Sequence, residues 1–236
     1  MTAELVFHNH SLHGTVKVIC DLITERIAVN RRAVVRKNAD LRYELVACLL
    51  GSQVRAESAD AALDRLCNAG LLSDKRWRVT DDDFESEVGA ILADQHTSGS
   101  QRSSYRFPQM RARQLVQMRK TLQTKPLSER LPAEGSIREI RANLVRDMPG
   151  IGPKQASMFL RNIGMSYDIA ILDVHVLAFF QRLGLLPEQG VELSTLKRYE
   201  QTEVIASQYA AECGHPVGFI DWAIWITMRA AKELRV

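Results

Sequence analysis

A lysine and an aspartate 19 positions apart, Lys154 and Asp173, are the two side chains of this sequence whose types and setting suggest covalent chemistry. Lys154 follows Pro149-Gly150-Ile151-Gly152-Pro153, and Asp173 directly precedes Val174-His175-Val176-Leu177. A neutral lysine amine is a nucleophile toward an electron-poor carbon, and a fixed carboxylate stabilises positive charge developing on that carbon. A lysine with an ordinary pKa of ~10.4 is almost wholly protonated at neutral pH, so the first role needs a setting that favours the neutral amine. The first turn of a helix is such a setting, because its dipole opposes a cation there. Taken alone, Lys154 also suits a solvent-reaching cation or a plain phosphate contact. Asp173 equally suits an N-cap, with Leu172 and Leu177 as a hydrophobic staple around it, and capping would itself fix the carboxylate. His175 reads as a helix-start or phosphate contact rather than a catalyst.

The stretch Asn143–Leu177 has to present these groups. Gly150 and Gly152 enclose one apolar residue, Ile151, between two apolar-periodic segments: Leu144 and Val145 lie before it, and Ala156, Phe159 and Leu160 after it. Glycine accepts the positive φ a sharp turn needs, and Ile151 can plug into the core beneath. The next helix then opens with free N–H groups at the positive end of its dipole, a site that grips phosphate without reading base sequence. A simple turn between packed helices has the same glycines; the flanking apolar pattern favours a helix-hairpin-helix over 144–164.

The rest of the chain is helical by its apolar spacing. Helices are expected over 14–30, 41–50, 58–67, 84–93 and 109–123, on both sides of the hairpin, over 173–184, 196–213 and 217–234. The run Leu41–Leu50 has too few polar positions for a surface helix and belongs in a core. Arg31, Arg32, Arg36 and Lys37 form a basic connector. Residues 75–82 suggest a short strand or turn, and Thr97–Ser104 a mobile polar loop. Together these predict an all-α, multi-helix, two-lobed array, one domain over 1–236 with the lobes meeting near the Pro-containing linker 125–135.

Composition agrees and excludes little. The 236 residues are 46% hydrophobic and 25% charged with net charge +3, which suits a globular chain and argues only faintly for a nucleic-acid partner. No apolar run reaches the ~20 residues of a membrane span, and no secretory signal is recognisable, so an intracellular, cytoplasmic location is expected. The cysteines Cys20, Cys48, Cys67 and Cys213 are too scattered for a zinc or iron–sulfur cluster. No metal or other cofactor is expected, and Cys48 and Cys67 read as small buried hydrophobes.

MPGIGPKQASMFLRNIG followed by AILDVH resembles the helix-hairpin-helix DNA glycosylase superfamily, with Lys154 and Asp173 on its catalytic lysine and aspartate. YRFPQMRARQL at 105–115, SMFLRNIG at 157–164 and FIDWAIW at 219–225 narrow the resemblance to the compact archaeal and bacterial 8-oxoguanine DNA glycosylase/AP lyases. ELVACLLGSQVRAESA at 44–59 resembles the first core helix of the superfamily and its following loop. The resemblance implies that Lys154 attacks the sugar C1′ of a flipped, damaged nucleotide, expels the base through a Schiff base, and that β-elimination nicks the strand. It implies that Asp173 supports the cationic sugar or the deprotonation of the lysine. Phe107 would stack on the extruded base, with Trp225 and Asp221 in the same pocket, and Gln53 would fill the gap in the duplex. Gly150, Gly152, His175, Arg106 and Arg111 would contact DNA. The implied partner is double-stranded DNA holding a modified base, engaged by a nucleoid-associated monomer. The region 71–104 has no counterpart in that pattern, and the resemblance implies that the final residues, here AAKELRV, help read the oxidised purine, which leaves two other functions open. One is the same fold acting on a different modified base, for example in defence against phage DNA. The other is a non-catalytic binding module, which would need neither Lys154 nor Asp173.

Overall fold

A computed structural model of the chain describes residues 3–30, 37–78, 83–94, 96–98, 101–132 and 134–233. Arg31, Arg32 and Arg36 of the basic connector and the last three residues of the C-terminal tail lie outside them. The described residues are almost wholly helical, as the apolar spacing predicts, and fall into two compact units. One is continuous, Val35–Ile163; the other is discontinuous, Met1–Val34 with Gly164–Val236. The division therefore falls at 34/35 and 163/164, while the linker at 125–135 lies inside the continuous unit. That linker carries a short helix whose Leu127 is buried, and Arg130 ties it to the neighbouring chain through the Thr121 and Lys125 carbonyls.

The continuous unit is built on α2 (Asn38–Leu50), against which α3 (Ala56–Asn68), α6 (Pro108–Thr124), α7 (Leu127–Arg130) and α9 (Pro153–Asn162) pack. Leu41, Leu45, Val46, Cys48, Leu49 and Leu50 are all buried, so α2 is covered around most of its girth, as its composition predicts. Burying each such large apolar side chain contributes about 1.5–3 kcal/mol. Between α3 and α6 lie α4 (Asp74–Arg78) and α5 (Phe84–Ala93). The expected strand or turn at 75–82 is thus a helix over its described part. The reason is tertiary: Trp77 is 4% exposed, donates Nε1–H to the Leu71 carbonyl at 2.8 Å and lies 5.2 Å under the Arg42 guanidinium. The expected loop at 97–104 holds a small ribbon instead, β1 (His96–Ser98) antiparallel to β2 (Gln101–Ser103), with His96 opposite Ser103. Two residues that include a glycine separate its strands in sequence, a spacing that favours hairpin pairing. The helix α8 (Ile137–Asp147) then leads into the glycine turn before α9.

The discontinuous unit packs α1 (Ala3–Asn30) and α10 (Val174–Arg182) on α12 (Val217–Glu233), with α11 (Leu196–Cys213) beside it. Val16, Cys20 and Ile23 of α1 enter one core with Phe179, Phe180, Tyr209, Ile220 and Ile224. Tyr209 closes this core at its polar edge through a 2.8 Å hydrogen bond with His13 Nδ1. Burial pushes the Cys20 thiol up to about 12, helped by Cys213, so it serves as a small apolar side chain. Cys48 is buried likewise, whereas Cys67 is only half-buried.

Candidate active site

The hairpin folds as its glycines predict, with one refinement. Gly150 has φ +80, while Gly152 has φ −86 and ψ 179, extended backbone open to any residue. A Cβ at Gly150 would lie 2.6 Å from both Gln114 Cδ and Leu49 Cδ1, so close approach reinforces the conformational demand. Ile151 is 3% exposed and its N–H donates to the Met148 carbonyl at 3.1 Å, which closes the turn over the core. Gly152 caps α9, Pro153 takes its first position, and Lys154 stands half-buried in the first turn. Proline contributes no N–H, so Lys154 and Gln155 carry first-turn donors that no carbonyl within the helix can satisfy. Burial foremost, and then Glu44, push the Cys48 thiol well up, while Arg161 and Lys154 pull it down.

Around the end of α2 the continuous unit assembles the other expected DNA-facing residues. Gln53 is exposed and has φ +63, the left-handed region; among the described residues it is the one non-glycine there. Its turn is held from below by carbonyl contacts. Tyr105 donates its hydroxyl to the Leu50 carbonyl at 2.6 Å, Arg111 Nη2 donates to Ser52 at 2.8 Å, and Arg106 Nη1 makes a longer contact with Gln53 at 3.4 Å. Phe107, half-buried, precedes α6 with the Arg106 and Arg111 guanidiniums 4.8 and 5.9 Å from its ring centre. Arg111 also donates to Gln114 Oε1 at 2.7 Å, and Gln114 is the side chain that fills the space beside Gly150. Gln53, Phe107 and the hairpin are therefore joined through one buried arginine. Arg106 is exposed, as a DNA contact must be, but Arg111 is 3% exposed and committed internally, so its place is that of a brace. The reason is its position on the buried stripe of α6, four residues before Leu115 and eight before Arg119.

In the discontinuous unit, Asp173 caps α10: Oδ1 accepts the N–H groups of His175 and Val176, each at 2.9 Å. Neither cap bond uses Oδ2. Leu172 and Leu177 both pack into the core on either side, as the staple pattern predicts. Asp173 and His175 are half-buried, and Val174 between them is 75% exposed. Trp225 is half-buried on α12, with the Arg229 guanidinium 4.8 Å from its ring centre. Asp221, one turn earlier, is 2% exposed and its Oδ2 accepts the Ile171 N–H at 2.6 Å. Its carboxylate is thus directed to the backbone behind Asp173, a placement the aspartate-in-pocket expectation did not include. Tyr105, Gln114, Tyr199 and Glu203 also escaped the sequence reading. For Glu203 a signal existed: it lies four residues from Tyr199 on the buried face of α11, a carboxylate in an apolar stripe.

Comparison with known proteins places the chain in a family. The family described as 8-oxoguanine DNA glycosylase matches residues 23–215. An 8-oxoguanine DNA glycosylase/AP lyase of Saccharolobus islandicus is 30% identical over 182 residues, 77% of this chain and 79% of that protein. One of Korarchaeum cryptofilum is 30% identical over 190 residues, 80% of each. The crystal structure of the 8-oxoguanine DNA glycosylase of Thermotoga maritima aligns with a TM-score of 0.63 at 28% identity, covering 94% of this chain and 89% of that one. The Methanocaldococcus jannaschii 8-oxoguanine glycosylase/lyase, solved with a 15mer DNA containing 8-oxoguanine, aligns at 0.65 and 22% identity over 87% of this chain and 88% of that one, a likeness of fold. The chain belongs to the helix-hairpin-helix 8-oxoguanine DNA glycosylase family.

Proposed function

We propose that this protein is a bifunctional DNA glycosylase/AP lyase that removes an oxidised purine, 8-oxoguanine in the first place, through a covalent intermediate on Lys154. The neutral Nζ attacks C1′ of the flipped nucleotide, the N-glycosidic bond breaks, and its electron pair leaves with the base, which is then protonated. Opening of the sugar ring converts the amine adduct to a protonated Schiff base. Loss of a C2′ proton then expels the 3′ phosphate by β-elimination, and water releases the lysine. Asp173 stabilises the cationic sugar in the first step, where a fixed carboxylate is most effective. Flipping the nucleotide costs a few kcal/mol, offset by stacking on Phe107, with Trp225 as a further wall, and by Gln53 occupying the gap. The first-turn N–H groups after Gly150-Ile151-Gly152 grip a phosphate, with Arg106 and His175 as further backbone contacts. On this reading the partner is duplex DNA with a modified base, and the protein works as an intracellular monomer on the nucleoid.

The observation that carries the proposal is Lys154 itself, half-buried in the first turn of the helix that the glycine hairpin opens. Borohydride added to the protein on duplex DNA with a single 8-oxoguanine is expected to trap a covalent adduct, and Lys154→Gln to abolish it. An undiminished adduct in Lys154→Gln, or none with any modified base, overturns the mechanism. An adduct with a different lesion alone moves the substrate assignment and keeps the chemistry.

A further inference from the structure

The backbone leading into Asp173 poses a problem of hydrogen-bond accounting. Ala170, Ile171 and Leu172 are 0%, 6% and 2% exposed and belong to no helix or sheet. Buried N–H groups need acceptors, and here no neighbouring strand supplies them. Three side chains do so instead, one for each residue. Glu203 Oε1 accepts from Ala170 at 2.8 Å, Asp221 Oδ2 from Ile171 at 2.6 Å, and the Tyr199 hydroxyl oxygen from Leu172 at 2.9 Å. The Tyr199 hydroxyl also donates to the Ala170 carbonyl at 2.8 Å.

The acceptors come from two helices: Ala170 and Leu172 are both served from α11, by Glu203 and Tyr199 one turn apart, whereas Ile171 is served from α12 by Asp221. The segment is clamped from two sides, and the residue that leaves the clamp is Asp173, whose own N–H donates to the Ile171 carbonyl at 3.1 Å. Glu203, Tyr199 and Asp221 are 0%, 1% and 2% exposed.

We infer that Asp221, Glu203 and Tyr199 are positioning residues that fix Asp173 by holding the buried segment before it. The inference rests on the proposed role of Asp173. A group displaced by about 1 Å can lose on the order of 100-fold in rate, so Asp221→Ala is expected to slow single-turnover excision of 8-oxoguanine by ~100-fold. Binding to duplex DNA with a tetrahydrofuran abasic analogue should stay within roughly threefold, since Asp221 touches the segment and not the DNA. Asp221→Asn, whose amide oxygen still accepts, should recover most of the rate. In an Asp173→Asn background, followed over long single turnovers, Asp221→Ala should add less than roughly threefold, because residues acting as one unit are not additive. All five proteins are measured well below their melting temperatures; if Asp221→Ala does not fold, Tyr199→Phe, which keeps the ring, takes its place in the cycle.

Wild-type excision in the folded single variant overturns the inference. So does a full second loss in the Asp173→Asn background, or equal losses of rate and DNA affinity. Wild-type excision by Asp173→Asn alone strikes instead at the proposed function, which separates the two failures.

Discussion

Gln53 stands at φ +63, a conformation that costs a side chain with a Cβ about 1–2 kcal/mol. Such strain persists where surroundings enforce it, and here Tyr105, Arg111 and Arg106 hold the carbonyls of the turn. If Gln53 enters the duplex, this cost is the price of aiming its side chain outward. Gln53→Gly is therefore expected to raise the unfolding free energy by up to about 1 kcal/mol while lowering excision of 8-oxoguanine. Denaturant melts and single-turnover rates check the two together, and a less stable variant would show that the turn is not strained. Asp173→Asn makes a complementary separation. Asparagine caps a helix about as well as aspartate, so stability should hold while the rate falls far more than DNA binding. Equal loss of both would reduce Asp173 to a cap. Residue type singled out Lys154 and Asp173, because an amine and a carboxylate at helix starts suggest the chemistry proposed above. Arg111 was not legible as a brace, since a guanidinium in a basic run looks the same whether it faces DNA or a buried carbonyl. Only its register with Leu115 on α6 carried the distinction.

At the scale of elements, the two hairpin glycines look alike in sequence and differ in what they do. Gly150→Ala combines positive φ with contacts at 2.6 Å, and should cost about 2–4 kcal/mol. Gly152→Ala keeps an ordinary φ and meets only the movable Gln155 side chain at 3.2 Å, so a cost under about 1 kcal/mol is expected. Chemical denaturation of both variants tests the contrast; similar losses would mean that both positions need glycine. The end of α8 gives the hairpin a dependence on acidity. Hydrogen bonding from Arg146 above all, with the charges of Arg146 and Arg130, holds the Asp147 carboxyl below its ordinary 3.8. A depressed folded pKa means stability that is present above about pH 4 and lost as pH falls through the folded value. Thermal melts between pH 5 and 3 should therefore fall less steeply for Asp147→Asn than for the wild type, and parallel curves would remove Asp147 from the account. Long periodic helices were readable, α5 and α11 to the residue, because their apolar stripes are local. The helix α4 was not, because what folds Asp74–Arg78 is Trp77 finding Arg42, Leu71 and Phe84, partners that local periodicity cannot name.

The whole molecule divides at 34/35 and 163/164, so a continuous unit is spliced into a discontinuous one. The sequence conveyed an all-α array with two lobes but not this division, because apolar spacing identifies a buried face without saying which distant helix covers it. For α1 the cover is α12, and the His13–Tyr209 hydrogen bond spans 196 positions. That span dictates an order of events on the ribosome. Synthesis runs from the N-terminus at roughly 5–20 residues per second, so α1 emerges first and waits with Val16, Cys20 and Ile23 uncovered while everything up to α12 is made. The lysine-bearing unit is by then complete in sequence, whereas the aspartate-bearing one is not. Lys154 is made only 19 residues before Asp173, whereas α1 waits for nearly the whole chain, and its apolar stripe is what a nascent-chain chaperone would meet.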